Sequence, residues 1–476
     1  MKPQGHLENA IGTEQIRGLV SGTTLVGQGV GVAILDSGID EVHKLVLPSL
    51  THTGVVYRKD FTGQQITVDM HGHGTHVASL TNGDTIFKTG RYEGIAPGTK
   101  LINLRVLDSN GVGCTSAVIA ALDWCVTNKN LVVNGVSLNL RVINLSLGSI
   151  AKDSYVNDPL CLAARRAHNA GIVVVAAAGN DGKSLSGQKI YGGIHSPGIE
   201  PSVITVGASN TFGTDARSDD QVTTYSSRGP TRGYTVVNGV RKYDNLIKPD
   251  IVAPGNRIIS SCSFSSWTNP QSLANLYPTL PLSSSMNEDQ LMYMSGTLMA
   301  APVVAGAAAV MLQANPNLTP SLVKAILMYS AQPLAGANML EQGAGLLNVD
   351  GAVRLARLVK PTLPTTVGTA LLTTTSLPTQ QSTIAGQTFN WGQGVITNWG
   401  FLTGSELLTK WQGVYGSGQV LGDATIFSNN IFSIVSGRTS TAVTLKSGAF
   451  TITISVRYWE TARYWLMESY WQMDRC

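Results

Sequence analysis

Short runs of consecutive apolar residues recur through the first part of the chain: Gly31 to Leu35 (GVAIL), Lys100 to Val106 (KLINLRV), Val142 to Leu147 (VINLSL), Ile172 to Ala178 (IVVVAAA) and Ser202 to Val206 (SVITV). Runs this short and rich in β-branched residues, apolar rather than alternating, predict strands buried on both faces. Stretches of helical length lie between them, Thr115 to Val126 and Asp158 to Ala170, the second stopped by Gly171. Strands alternating with helices predict βαβ units, hence an α/β fold with a doubly wound parallel sheet flanked by helices. In such folds the functional site gathers beyond the carboxyl ends of the strands. After position 298 the segment MAAPVVAGAAAVMLQ is apolar nearly all round and built of small residues, which predicts a helix at the centre of the domain. Its Pro302 is expected near the helix start, where a missing N–H is tolerated. A second helix is predicted over Pro320 to Ala331.

The pattern changes near residue 360. Pro361 to Thr383 is dense in Thr, Ser and Pro with almost no charge, and six of the eight tryptophans fall between Trp391 and Trp471. Phe450 to Arg457 (FTITISVR) alternates as a strand should. The chain therefore divides into one α/β domain over 1–357, a linker over 358–385, and a small, β-rich C-terminal extension over 386–476 with no role legible in it.

Composition narrows the classes of function. Asp, Glu, Lys and Arg make up 13% of the 476 residues, and the net charge is +4 with no basic block, which excludes a nucleic-acid interface of the usual kind. The five cysteines (Cys114, Cys125, Cys161, Cys262 and Cys476) contain no C-x-x-C pair, so neither a disulfide framework nor a zinc site is expected. Buried thiols plus an exposed one at the terminus are expected instead. Met1 to Leu19 carries charges and has no apolar core of a secretory signal. Pro302 to Leu312 is too short to cross a bilayer of about 30 Å, so no membrane span is expected.

Candidate chemistry sits at the strand ends. Asp36 ends the first apolar run within Asp-Ser-Gly; by itself it reads better as a turn Asp capping the strand. His71, His73 and His76 surround the start of a predicted helix in HGHGTHVA; they suggest either a general base at His73 or a metal site, though no carboxylate or Cys follows at a ligand interval. Asn180 ends AAAGN, where its amide could donate to a developing oxyanion or simply shape a loop. Ser146, Leu147 and Gly148 close another strand and could offer backbone groups to an extended peptide.

The motifs DSGID, HGTHVAS, NLSLG, AAGN, YSSRGP, KPDIVAPG and SGTLMAAPVVAG occur in one chain, in an order that resembles the subtilisin-like serine peptidases across about residues 20–357. The resemblance implies that Asp36 orients the imidazole, His73 acts as general base and Asn180 donates to the oxyanion. It also implies that Ser146 to Gly148 and Ala177, Ala178 and Gly179 form walls binding the substrate backbone and its P1 side chain. In the family the nucleophile motif reads Gly-Thr-Ser-Met-Ala; here it is Gly296-Thr297-Leu298-Met299-Ala300. Leucine can neither attack a carbonyl nor pass a proton to His73, and Ser295 lies three residues too early. The resemblance thus implies a secreted, monomeric endopeptidase scaffold acting on extended polypeptide, inactive or nearly so with Leu298 at the nucleophile position; no cofactor is expected, and no acidic cluster reads as a metal site. A non-catalytic peptide-binding protein is the alternative, and a metal-dependent hydrolase at His71, His73 and His76 a more distant one.

Overall fold

The computed structural model describes residues 5–48, 53–87, 90–283, 287, 289–421, 443–447 and 450–457. The apolar runs form the central sheet. Its strands are β1 (Gly31–Asp36), β2 (Val55–Asp60), β3 (Lys100–Arg105), β4 (Leu140–Leu145), β5 (Val173–Ala177), β6 (Ile204–Asn210), β7 (Gln221–Val222) and β8 (Ile251–Pro254). They lie in the order β7-β6-β5-β4-β1-β3-β2, with β8 also paired to β6. Every pairing is parallel except that of β7 with β6.

Alternation along the strands divides the interior into two layers. Val32 and Ile34 of β1, and Val173, Val175 and Ala177 of β5, enter one cluster; Ala33, Leu35, Val174 and Ala176 enter the other. A strand whose successive side chains point to opposite faces must be apolar throughout to fill both layers, which is why these runs do not alternate. Helices α2 (Thr115–Asn128) and α3 (Pro159–Asn169) cover one face. The other face carries α1 (His73–Asn82), α4 (Thr297–Ala314) and α5 (Pro320–Ser330). The doubly wound architecture is the one the sequence predicts.

Two expectations about α4 need correction. The helix has 18 residues and by length and composition could span a membrane, yet 83% of it is buried inside the molecule, so it is the core helix. Pro302 is its sixth residue rather than part of the first turn. The N–H absent at Pro302 would have bonded the carbonyl of Leu298. The Ser146 hydroxyl donates to that carbonyl instead, at 2.6 Å.

The stretch read as a linker is also packed differently. Leu371 and Leu372 are fully buried, and Trp391, Ile396, Leu402, Leu408, Trp411 and Tyr415 join the same core as α4 and α5. Leucines spaced among threonines anchor an irregular segment that composition alone marks as free. Trp391 donates to Ser382 and Trp399 to the carbonyl of Asp244, so these two tryptophans are separate anchors. Phe450–Arg457 is a strand, paired antiparallel with Gly400–Thr403. Cys125, Cys161 and Cys262 are buried free thiols as expected, whereas Cys114 is exposed at the start of α2; Cys476 lies outside the described residues.

Candidate active site

The carboxyl ends of β1, β4 and β5 meet the amino ends of α1 and α4, and the candidate residues converge there. Asp36 ends β1 with its carboxylate buried, and His73 opens α1 facing it, with Nδ1 2.7 Å from Oδ1 of Asp36. Close approach of α1 to β1 makes this contact possible. A Cβ on Gly74 would fall 2.1 Å from the carbonyl oxygen of Gly38, so only glycine fits there. Burial works against a protonated His73, but the Asp36 carboxylate and its hydrogen bond outweigh burial and hold the ring above the ordinary imidazole range. Nε2 of His73 is buried with no hydrogen-bond partner among the described residues, as is Oδ2 of Asp36.

A residue absent from the sequence reading holds this arrangement. Asp69, fully buried, accepts from the Ser37 hydroxyl at 2.8 Å and from the backbone N–H groups of His71 and Gly72. Its other oxygen accepts from the N–H and hydroxyl of Thr75, at 2.8 and 2.7 Å. The position before α1 is Gly72, which has no side chain to cap the helix. The cap comes from Asp69, three residues further back, and a carboxylate suits the positive end of a helix.

The three histidines do not share a site. His71 lines the cleft, and burial draws it below its ordinary range. His76 is fully buried inside α1, and burial with His73 nearby pushes it down to about 3, so it is a neutral core residue. Among the described residues no group of three or more His, Cys, Asp or Glu side chains is placed to hold a metal ion.

Asn180 lies past the end of β5, exposed, with its carboxamide oxygen accepting from the N–H of Thr297 at 3.0 Å and the Thr297 hydroxyl at 3.2 Å. Its NH₂ group lies beside Gly296, 3.3 Å from where a Cβ there would stand. Leu298, half-buried, is the second residue of α4. Leu298, His71, His73, Cys114, Ser146, Leu147 and Gly148 line one cleft of about 310 Å³. Ser295 is exposed on the approach to α4, its hydroxyl accepting from the N–H of Arg257.

The two expected walls differ. Ala177 and Ala178 are buried; the N–H of Ala178 donates to Val206 and its carbonyl accepts from His195. The N–H of Gly179 donates to the Thr297 hydroxyl, and its carbonyl accepts from the N–H of Ser227. These groups are spent inside the protein, leaving this wall to act by shape. Leu147 and Gly148 run on past Leu145, the last residue of β4, into the cleft.

A parallel α/β scaffold with a buried Asp–His pair, an exposed Asn past a strand end and a helix start beside one cleft is the arrangement of a serine hydrolase. Residues 27–352 match the Subtilase family, and the chain belongs to it. It is 35% identical over 335 residues to the serine protease AprX of Bacillus subtilis (strain 168), covering 70% of this chain and 68% of that one. To the extracellular serine proteinase of Thermus sp. (strain Rt41A) it is 33% identical over 312 residues, covering 65% of this chain and 57% of the relative. Subtilisin DY of Bacillus licheniformis is 30% identical over 330 residues, 69% of this chain and 92% of that one.

Proposed function

We propose that this chain is a secreted subtilisin-type endopeptidase scaffold that binds extended polypeptide and lacks its hydrolytic step because Leu298 stands where the nucleophilic serine belongs. The observation that carries this reading is the position of Leu298: second residue of α4, in the same cleft as His73, whose Nε2 has no partner among the described residues. With serine at 298, His73 would take the hydroxyl proton, Asp36 would hold the imidazole tautomer, and the Asn180 amide would donate to the tetrahedral oxyanion. With leucine there is no oxygen to attack, and no acyl-enzyme forms through that position. The substrate would run along Leu147 and Gly148 as an added strand, its P1 side chain set between Gly148 and Gly179. The extracellular relative and the subtilisins support export, and polypeptide as the partner.

The test is the Leu298→Ser variant on an unfolded protein substrate, with and without chelator. Loss of one such triad member costs about 10⁶-fold in turnover in subtilisin itself, a magnitude carried over here. Activity should therefore appear in the serine variant, several orders above the unaltered protein and indifferent to chelator. A folded but inert variant that still binds peptide would make the chain a binding protein. Chelator-sensitive hydrolysis by the unaltered protein would overturn both readings.

A further inference from the structure

Behind the two walls of the cleft stands a side chain with no part in the chemistry above. His195 belongs to the short strand His195–Ser196, paired antiparallel with Ser149–Ile150 just past Gly148, and its N–H donates to the carbonyl of Ala178. It is thereby bound by its backbone to both walls at once. Its side chain fills the gap between them. A Cβ on Gly179 would lie 2.8 Å from Cδ2 of His195, and one on Gly148 would lie 3.1 Å from Cβ of His195. The direction each glycine leaves open for a substrate side chain is the direction the imidazole occupies. Asp181, immediately after Asn180, fixes the ring with a contact of 2.6 Å between its Oδ2 and Nε2 of His195. The pair is reachable from outside, at 21% and 57% side-chain exposure. Gly148 and Ser149 line the cleft, and the imidazole lies beyond them.

We infer that His195, positioned by Asp181, sets the size of side chain admitted between Gly148 and Gly179, so that this cleft selects polypeptides with a small P1 residue and turns away aromatic ones. The inference rests on the substrate path proposed above. An imidazole ring closes the space a phenyl ring would need, while a methyl or hydroxymethyl group stops short of it. With Nε2–H donating to the Asp181 carboxylate, Nδ1 is left as an acceptor, which suits a serine hydroxyl as well as an alanine methyl.

The experiment has two arms. In the Leu298→Ser background, a pair of peptides differing only in Ala or Phe at P1 is compared with and without His195→Ala. The Ala peptide should be preferred by at least about tenfold in kcat/KM, and His195→Ala should shift the ratio toward Phe by at least about tenfold, the scale of pocket discrimination by size. His195→Gln, which keeps the volume, should retain the preference. An unchanged ratio in a folded His195→Ala protein overturns the inference. If the serine variant cleaves nothing, the nucleophile reading has failed, and binding decides. Peptides ending in Ala or Phe are titrated onto the protein carrying Leu298, with and without His195→Ala. A selective gain for the Phe peptide supports a gate at His195. Equal changes, or no measurable binding in either protein, overturn it.

Discussion

At the scale of single residues, the Asp36–His73 pair makes a pH signature with a definite sign. His73 titrates above its ordinary value of 6.5 because Asp36 outweighs the cost of burial. A group whose folded value is raised contributes stability that is complete below the unfolded value and is lost as pH rises through the folded one. The stability gap between the protein and His73→Gln should therefore be widest near about pH 5 and close as the pH climbs past the neutral range. Denaturant midpoints across that interval measure it; a gap that grows with pH would contradict the pairing. The same shift governs the Leu298→Ser variant, where catalysis needs His73 neutral. The acid limb of its kcat/KM profile should lie above 6.5 rather than at or below it.

At the scale of elements, what sequence can show depends on how a residue is recruited. Strands buried on both faces announce themselves, and β1, β3, β4, β5 and α2 stand within a residue or two of the runs that predict them. Strand β2 (VVYRKD) does not, because it is an edge strand, partly exposed and half charged. Strand β8 lies inside KPDIVAPG, quoted as a motif yet too short to read as a strand. Asp36, His73 and Asn180 stand out as candidates because each lies at the end of an apolar run or the start of a helical stretch. Asp69 and His195 do not, since their work lies in contacts closed by the fold: Asp69 caps a helix from outside it, and His195 reaches two walls that are distant in sequence. The nearest signal for Asp69 is negative, a helix start with Gly72 where a capping side chain belongs. This element-level role is testable. Asp69→Asn removes the charge and replaces one acceptor oxygen with an NH₂ group facing donors, so it should cost about 3 kcal/mol of stability. In the Leu298→Ser background it should also lower kcat, because the start of α1 carries His73. Urea unfolding and steady-state kinetics read the two effects; stability and rate both unchanged would remove Asp69 from the positioning of His73.

At the scale of the whole molecule, the segment after residue 357 decides where the folding unit ends. Composition changes there, but the core does not. Beyond the apolar anchors of residues 371–415, polar groups of the main body depend on this segment. The Asn348 amide donates to the Ser382 hydroxyl at 3.0 Å, and the Thr319 hydroxyl, which also caps α5, donates to the carbonyl of Tyr415 at 2.6 Å. The Ser321 hydroxyl donates to the carbonyl of Gln419, also at 2.6 Å, and the N–H of Ile247 to that of Asn398 at 2.8 Å. Removing the segment would uncover Tyr329, now fully buried, strip the Gln380 partner from its hydroxyl, and leave Thr319 and Ser321 at the start of α5 without theirs. Each large apolar side chain so exposed forfeits about 1.5–3 kcal/mol, against a total stability of about 5–15 kcal/mol for a typical domain. A chain ending at 357 should therefore be poorly soluble or melt at least about 10 °C below the full protein. Thermal unfolding of the two lengths, followed by circular dichroism and by tryptophan fluorescence, separates the cases. Coincident curves for 1–357 and the full chain would show that the peptidase-type domain stands alone and that the packed segment only rests upon it.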